Sequence, residues 1–138
     1  MPNNTTVRLR DGLRAVLDWI TEHGDLPIVN LDYLSPNAVE LTLESGRFGL
    51  LTAAANAADA LTHSTITVTV PDLGRCCVVT VAGRLPDSPL EITLAGVAYD
   101  EAVPTLLASL GTPPIPGDQT WDTSAEHLRG VAEAGQTR

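Results

Sequence analysis

One stretch, residues 64–97, restricts the possible folds of this chain most strongly, because apolar and polar residues alternate there in three consecutive segments. In Thr65 to Val70, three threonines alternate with three aliphatic residues, and this period of two places the two sets on opposite faces of a strand. Two further apolar segments follow, the first after the turn-forming sequence Pro71-Asp72-Leu73-Gly74. The pattern predicts a three-stranded meander whose apolar face must be covered by a helix.

The residues before the meander predict a helix, a hairpin and a second helix. Val29 to Tyr33 and Val39 to Leu43 alternate like a half-buried hairpin. Residues 46–62 are rich in alanine at helical spacing, and Ser45 stands where an N-cap is expected. The first helix is predicted from an apolar stripe, with Trp19 packing at its flank; the stripe consists of Leu9, Leu13, Val16, Leu17 and Ile20.

A short helix through Val103 and Leu110 follows the meander. The element order α-β-β-α-β-β-β-α predicts an α+β two-layer sandwich, in which two main helices cover one face of a largely antiparallel five-stranded sheet. Residues 1–111 form the predicted domain, and residues 112–138 are predicted to be a Pro-rich linker and a C-terminal segment. That segment contains Trp121, expected to dock on the domain, and a weak helix with a Thr123-x-x-Glu126 capping box.

The charge of the chain limits its partners. The net charge is −9, and all eight basic residues are arginines. Because nucleic-acid binding requires clustered cations, this balance argues against a nucleic-acid partner, and it also argues against an anionic membrane surface. The sequence has neither a signal peptide nor an apolar run of membrane-spanning length, so we expect a cytoplasmic protein.

No catalytic or cofactor motif is present in the sequence. Cys76 and Cys77 are adjacent in a predicted strand, so we expect them on opposite faces, with Cys77 inward and neither binding metal. The three histidines, His23, His63 and His127, are expected at helix C-termini or in the tail, where they favour the helix dipole. The best catalytic candidate is His23 with Asp25, near the carboxylates of the first hairpin.

The sheet face opposite the helices is the more informative candidate. Its predicted register gives a centre rich in threonine that becomes acidic towards the first hairpin. Such a face can be solvated, or it can be covered by the Trp121 segment, by a second copy or by another protein. The residues that we predict to bind a protein partner are Asp32, Glu40, Glu44, Thr67, Val78 and Trp121.

Several short motifs within residues 8–98 resemble a loose group of small actinobacterial and actinophage proteins with no known activity. They are Leu17-Asp18-Trp19-Ile20 followed by His23-Gly24-Asp25-Leu26-Pro27, then Val39-Glu40-Leu41-Thr42-Leu43, and finally Val81-Ala82-Gly83-Arg84-Leu85. The resemblance implies an α+β fold and an origin in an actinobacterium or its mobile elements.

These observations favour a non-enzymatic accessory protein without a cofactor that acts through protein contacts. A sharper hypothesis is a modulator or inhibitor whose acidic face binds a basic site. Two alternatives remain open from the residues alone: a small-molecule binder or enzyme that uses His23 and Asp25, and a homodimer formed through the open sheet face.

Overall fold

The elements of the chain follow closely on one another along the sequence. The computed structural model describes residues 4–35, 37–71, 76–86, 88–111 and 119–136. The predicted linker at 112–117 and most of the turn at 71–74 lie outside these residues. The elements are α1 (Asn4–Glu22), β1 (Ile28–Ser35), β2 (Ala38–Leu43), α2 (Phe48–Asp59), β3 (Thr62–Thr69), β4 (Cys76–Arg84), β5 (Glu91–Tyr99), α3 (Ala102–Leu110), β6 (Thr120–Thr123) and α4 (Ala125–Gln136).

The strands form one mixed sheet, and the predicted α+β class is confirmed. In the described part of the chain the sheet has six strands in the order β1-β2-β5-β4-β3-β6. All neighbours are antiparallel except β2 and β5, which are parallel. An isolated bridge between Gly46 and Ala98 extends the parallel pair. The meander predicted between residues 64 and 97 is present as β3, β4 and β5.

The prediction of five strands was too low, because among the strands that the structure describes β6 was not recognised. This strand has only four residues and pairs with β3, and so short a segment gives almost no periodic signal. The parallel pair arises from the connection through α2. Helix α2 connects β2 to β3, which lies three positions away in the sheet. The strands β4 and β5 then occupy the two positions between them, so that β5 lies beside β2.

Helix α2 lies at the centre of the core. Seven of its twelve residues are buried, and five of these are alanines, so the helix can approach the sheet on one side and α4 on the other. Arg129 of α4 reaches over it, with Nη2 at 2.8 Å from Asn56 Oδ1 and at 2.6 Å from Asp59 Oδ2. The expected cap was misplaced: the helix begins at Phe48, preceded by Arg47 rather than Ser45, and ends at Asp59.

Helix α1 packs through a stripe that shares Val16 and Ile20 with the predicted one but contains Trp19 in place of Leu17. Trp19 is buried with Val16 in the same apolar cluster as α2 and the sheet, whereas Leu17 is 57% exposed. A stripe with residues at 16, 19, 20 and 23 fits 3.6 residues per turn as well as the predicted one does. The bulk of the indole decides between them, because burying Trp removes far more apolar surface from water than burying Leu.

The C-terminal segment completes the sheet and the core. Trp121 on β6 is buried, and its indole nitrogen donates to the backbone oxygen of Gly111 at 3.1 Å. The predicted capping box is displaced by one residue, because Ser124 Oγ, not Thr123, accepts a hydrogen bond from the backbone N–H of His127 at 3.1 Å. None of the helices in the described ranges has the length and apolar character needed to cross a membrane.

Candidate interaction surface

All of the helices that the structure describes pack on one side of the sheet, and the other side forms a surface that we call the open face. Alternation along the strands separates the two sides, since residues such as Leu41, Val68 and Leu94 are buried whereas their neighbours are half-buried or exposed. Cross-strand partners on the open face include Thr67 with Thr80, and Val78 with Val97. The predicted threonine-rich face is therefore present and is not covered by a described element.

The open face is acidic at its outer strands. Asp32 and Glu40 are direct cross-strand partners on the first hairpin, where two like charges destabilise the pairing. Glu44 follows β2 and is exposed, and Asp122 projects from β6 at the opposite edge. Among the described residues none of these four carboxylates lies in an ion pair, although Asn30 Nδ2 donates to Asp32 Oδ2 at 3.2 Å.

The open face is somewhat smaller than the surface that one partner buries in a protein interface of ordinary size. Six strands at the usual spacing of about 4.8 Å span about 24 Å, and a strand of eight residues is about 26 Å long. The face therefore offers roughly 600 Å², below the ~800 Å² that one partner buries in an interface of ordinary size. A stable complex would have to cover nearly all of it, including the acidic hairpin.

Five of the six residues predicted to bind a partner lie on the open face or directly beside it: Asp32, Glu40, Glu44, Thr67 and Val78. Trp121 does not share this surface, because its side chain is on the opposite side of β6, buried against the core. The C-terminal segment thus extends the sheet at β3 and leaves the open face uncovered in the part of the chain that is described.

The proposed catalytic group around His23 is not assembled. The imidazole lies against the indole of Trp19, with ring centroids 5.2 Å apart, on the helical side of the sheet. Asp32 and Glu40 are on the opposite side. Within the described residues, no hydrogen bond or ion pair joins His23 to Asp25. His63 was expected at a helix C-terminus but lies in β3. His127 lies in the C-terminal segment as expected, but in the first turn of α4, where a positive imidazole would not favour the helix dipole.

A second polar pair, Ser109 and His127, was missed by sequence reasoning. Ser109 Oγ is 2.9 Å from His127 Nε2, in a groove that Asp122 also lines. A serine so close to an imidazole is the usual arrangement of a nucleophile with its base. However, Ser109 Oγ also donates to the Leu106 backbone oxygen at 2.6 Å. Its single proton is thereby engaged, so His127 acts as the donor to Ser109 and the pair joins α3 to α4.

The two cysteines occupy opposite faces, as predicted. Cys77 is fully buried, whereas Cys76 is half-buried on the open face opposite Tyr99. Burial, with a smaller contribution from Cys76, raises the pKa of the Cys77 thiol to about 11. A thiol with such a pKa is almost entirely protonated at neutral pH and is a poor nucleophile.

Comparison with protein-family models, with curated proteins and with solved structures found no match for this chain.

Proposed function

We propose that this chain is a non-enzymatic protein-interaction protein that binds a basic surface of another protein through its open face. The observation that carries the proposal is the cross-strand pair of Asp32 and Glu40. Like charges in this position cost stability in the free protein. A partner that places Arg or Lys over the hairpin relieves this repulsion. Its cations also form ion pairs with the two carboxylates, which would otherwise be covered without a charged partner.

The rest of the open face supports the same partner chemistry. Its centre carries small side chains such as Ala95, Thr80 and Thr67 in adjacent strands. Its margins carry carboxylates at β1, β2 and β6. A complementary partner has an uncharged centre with basic residues around it, since complementary potentials raise the association rate and exclude wrong partners.

We also propose the kind of organism and the compartment in which this chain acts. The resemblance of several short motifs to small actinobacterial and actinophage proteins favours an accessory protein of such a host or of its mobile elements, acting in the cytoplasm. The sharper form is a modulator or inhibitor that occupies the basic site of a host enzyme.

The test is a capture experiment with charge variants of the full chain. The open-face variant is D32K/E40K/E44K, and the control is D18K/E22K/E133K, which changes exposed carboxylates on α1 and α4. The two variants have the same net charge. We expect proteins captured from an actinobacterial lysate by the wild type to be retained by the control and lost by the open-face variant, as measured by quantitative mass spectrometry. Equal loss with both variants, or retention with both, contradicts the proposal.

A second candidate is a homodimer through the same face. Val78 and Val97 form an apolar cross-strand pair near its centre, and a two-fold partner would bring two such pairs together. Light scattering across the micromolar range distinguishes the candidates, with Thr67→Asp as the variant that would break a dimer. If the wild type is monomeric, the result favours a different protein as the partner of the open face. A dimer that Thr67→Asp dissociates would assign the open face to self-association instead.

A further inference from the structure

A polar groove lies at one end of the open face, where β3, β4 and β5 meet. Its volume is about 510 Å³, within the usual range for sites that bind small molecules. The side chains that give it its chemistry are His63, Thr65, Arg84, Glu91 and Thr93. The groove borders the acidic hairpin, to which the proposed function assigns the basic partner, because Thr93 is the cross-strand partner of Glu40 on β2. Glu40 itself is not among the residues that line the groove.

An irregularity at the start of β3 forms the groove. Thr62 pairs with Arg84 and Thr65 with Ala82, so the register shifts between these two pairs. His63 in the shifted segment has φ of 52°, a left-handed conformation that is uncommon for residues other than glycine. In the described structure its side chain has no hydrogen-bond partner to compensate for this cost, and local strain of this kind concentrates at functional sites.

Gly83 allows the chain to take this path. A Cβ atom at this position would lie 2.9 Å from the Leu61 Cβ and 3.1 Å from the Thr62 backbone oxygen. The close approach brings Thr62 Oγ1 within 3.2 Å of the Arg84 backbone oxygen, to which it donates. The backbone around Arg84 is therefore fixed on two sides, while its side chain remains exposed.

The two charged residues of the groove do not neutralise each other. Arg84 and Glu91 are direct cross-strand partners on the open face, an arrangement in which opposite charges ordinarily pair. Yet no ion pair within 4.0 Å joins them, and among the described residues neither has another charged partner. A guanidinium and a carboxylate are thus presented side by side to whatever enters the groove.

We infer that this groove binds a zwitterionic small molecule of the free α-amino acid class. The ligand carboxylate is held by Arg84, whose guanidinium can donate two parallel hydrogen bonds to it. The ligand ammonium is held by Glu91, and the hydroxyls of Thr65 and Thr93 offer further hydrogen bonds. A molecule with only one charge leaves either Arg84 or Glu91 without its partner, so it binds more weakly.

Three leucine compounds with different charges test this inference: L-leucine is zwitterionic, L-leucinamide is a cation with its carboxylate amidated, and N-acetyl-L-leucine is an anion with its amine acetylated. Each is titrated into the full-length ¹⁵N-labelled chain, and amide shifts are followed. We expect L-leucine to give saturable shifts at Thr65, Arg84 and Glu91, and each single-charge probe to bind at least tenfold more weakly. Absence of saturable shifts, or equal affinity for all three probes, overturns the inference.

Variants locate the site. Arg84→Gln should weaken L-leucine binding at least tenfold, whereas Arg14→Gln, which changes an exposed arginine on α1, should leave it unchanged. Glu91→Gln should shift the preference towards N-acetyl-L-leucine, because it removes the repulsion of an anion. The spectra themselves report whether each variant is folded. Unchanged binding in Arg84→Gln, or an unchanged order of preference in Glu91→Gln, overturns the assignment.

Discussion

The indole nitrogen of Trp19 donates a hydrogen bond to the backbone oxygen of Ala60 at 3.1 Å. Ala60 is the C-cap residue that directly follows Asp59, the last residue of α2, so this bond joins the first helix to the central helix across 41 residues of sequence. It satisfies a carbonyl group at the C-terminus of α2, where the backbone lacks partners within the helix. Trp19 therefore both fills the core and fixes how α1 lies against it.

Trp19→Phe separates these two roles. The variant keeps most of the apolar volume but leaves the Ala60 carbonyl without its donor, so we expect a loss of about 1–3 kcal/mol in the free energy of unfolding. Trp19→Ala should cost about 3–5 kcal/mol, because it also creates a cavity. Urea denaturation measures both. The matched control is Leu17→Ala at the exposed position, for which we expect a change within about 0.5 kcal/mol.

Removal of the C-terminal segment should unfold the domain. A chain that ends at Gly111 lacks Trp121 and Leu128, both buried in the core. Losing two such side chains costs about 5–10 kcal/mol, comparable with the whole stability of a domain of this size. We expect loss of amide dispersion in NMR spectra at 25 °C. A chain that ends at Gln136 should keep the native spectrum, and a folded chain ending at Gly111 would contradict the placement of β6 and α4.

The sequence predicted the class of fold and most of the candidate surface, because both depend on strict alternation. The threonines of β3 and the acidic residues of the first hairpin lie on the predicted side. Trp121 packs against the domain, as expected, but the side of the sheet on which it lies could not be predicted, since an isolated aromatic residue gives no period from which to choose a face. The pairing of Ser109 with His127 was equally inaccessible, because it depends on how α3 and α4 pack together.

The Cys77 thiol should make stability depend on pH in the alkaline range. Its pKa is about 11 in the folded chain, against an ordinary value of 9.0. Between these values the unfolded chain loses the thiol proton and the folded chain keeps it, so rising pH favours unfolding. The expected loss is at most about 1.4 kcal/mol per pH unit, and it is absent below pH 9.

Urea midpoints of the wild type and of Cys77→Ala, measured between pH 7 and pH 11, test this dependence. The variant is expected to be less stable than the wild type at pH 7, because it leaves a small cavity. Its stability should nevertheless fall less steeply above pH 9 than that of the wild type. Parallel curves for the two proteins would show that the Cys77 thiol titrates equally in both states.

Ser109 should not behave as a catalytic nucleophile. Because its hydroxyl proton is directed to the Leu106 backbone oxygen, it cannot be transferred to His127 without breaking that bond. We expect no labelling of the folded chain by a fluorophosphonate probe, with a known serine hydrolase as the positive control. Labelling at Ser109 that disappears in His127→Ala would identify an active serine and contradict the non-enzymatic proposal.

The carboxylate of Glu40 should lower the stability of the free protein while it promotes partner binding. Glu40 lies opposite Asp32, so Glu40→Lys replaces a repulsive pair by an attractive one, and we expect a gain of about 0.2–1 kcal/mol. Glu91→Lys makes the same change in charge on the same face, but opposite Arg84, so its stability should fall. Urea denaturation at low salt measures both effects.

Capture of the basic partner by these two variants completes the test. Glu40→Lys should weaken capture although it stabilises the fold, whereas Glu91→Lys, on another strand of the open face, should weaken it less. A residue that reduces stability and is needed for binding is retained for its contact with a partner, since the isolated fold would be more stable without it. If Glu40→Lys lowers both stability and capture, the carboxylate acts through the fold, and the acidic hairpin loses its assigned role.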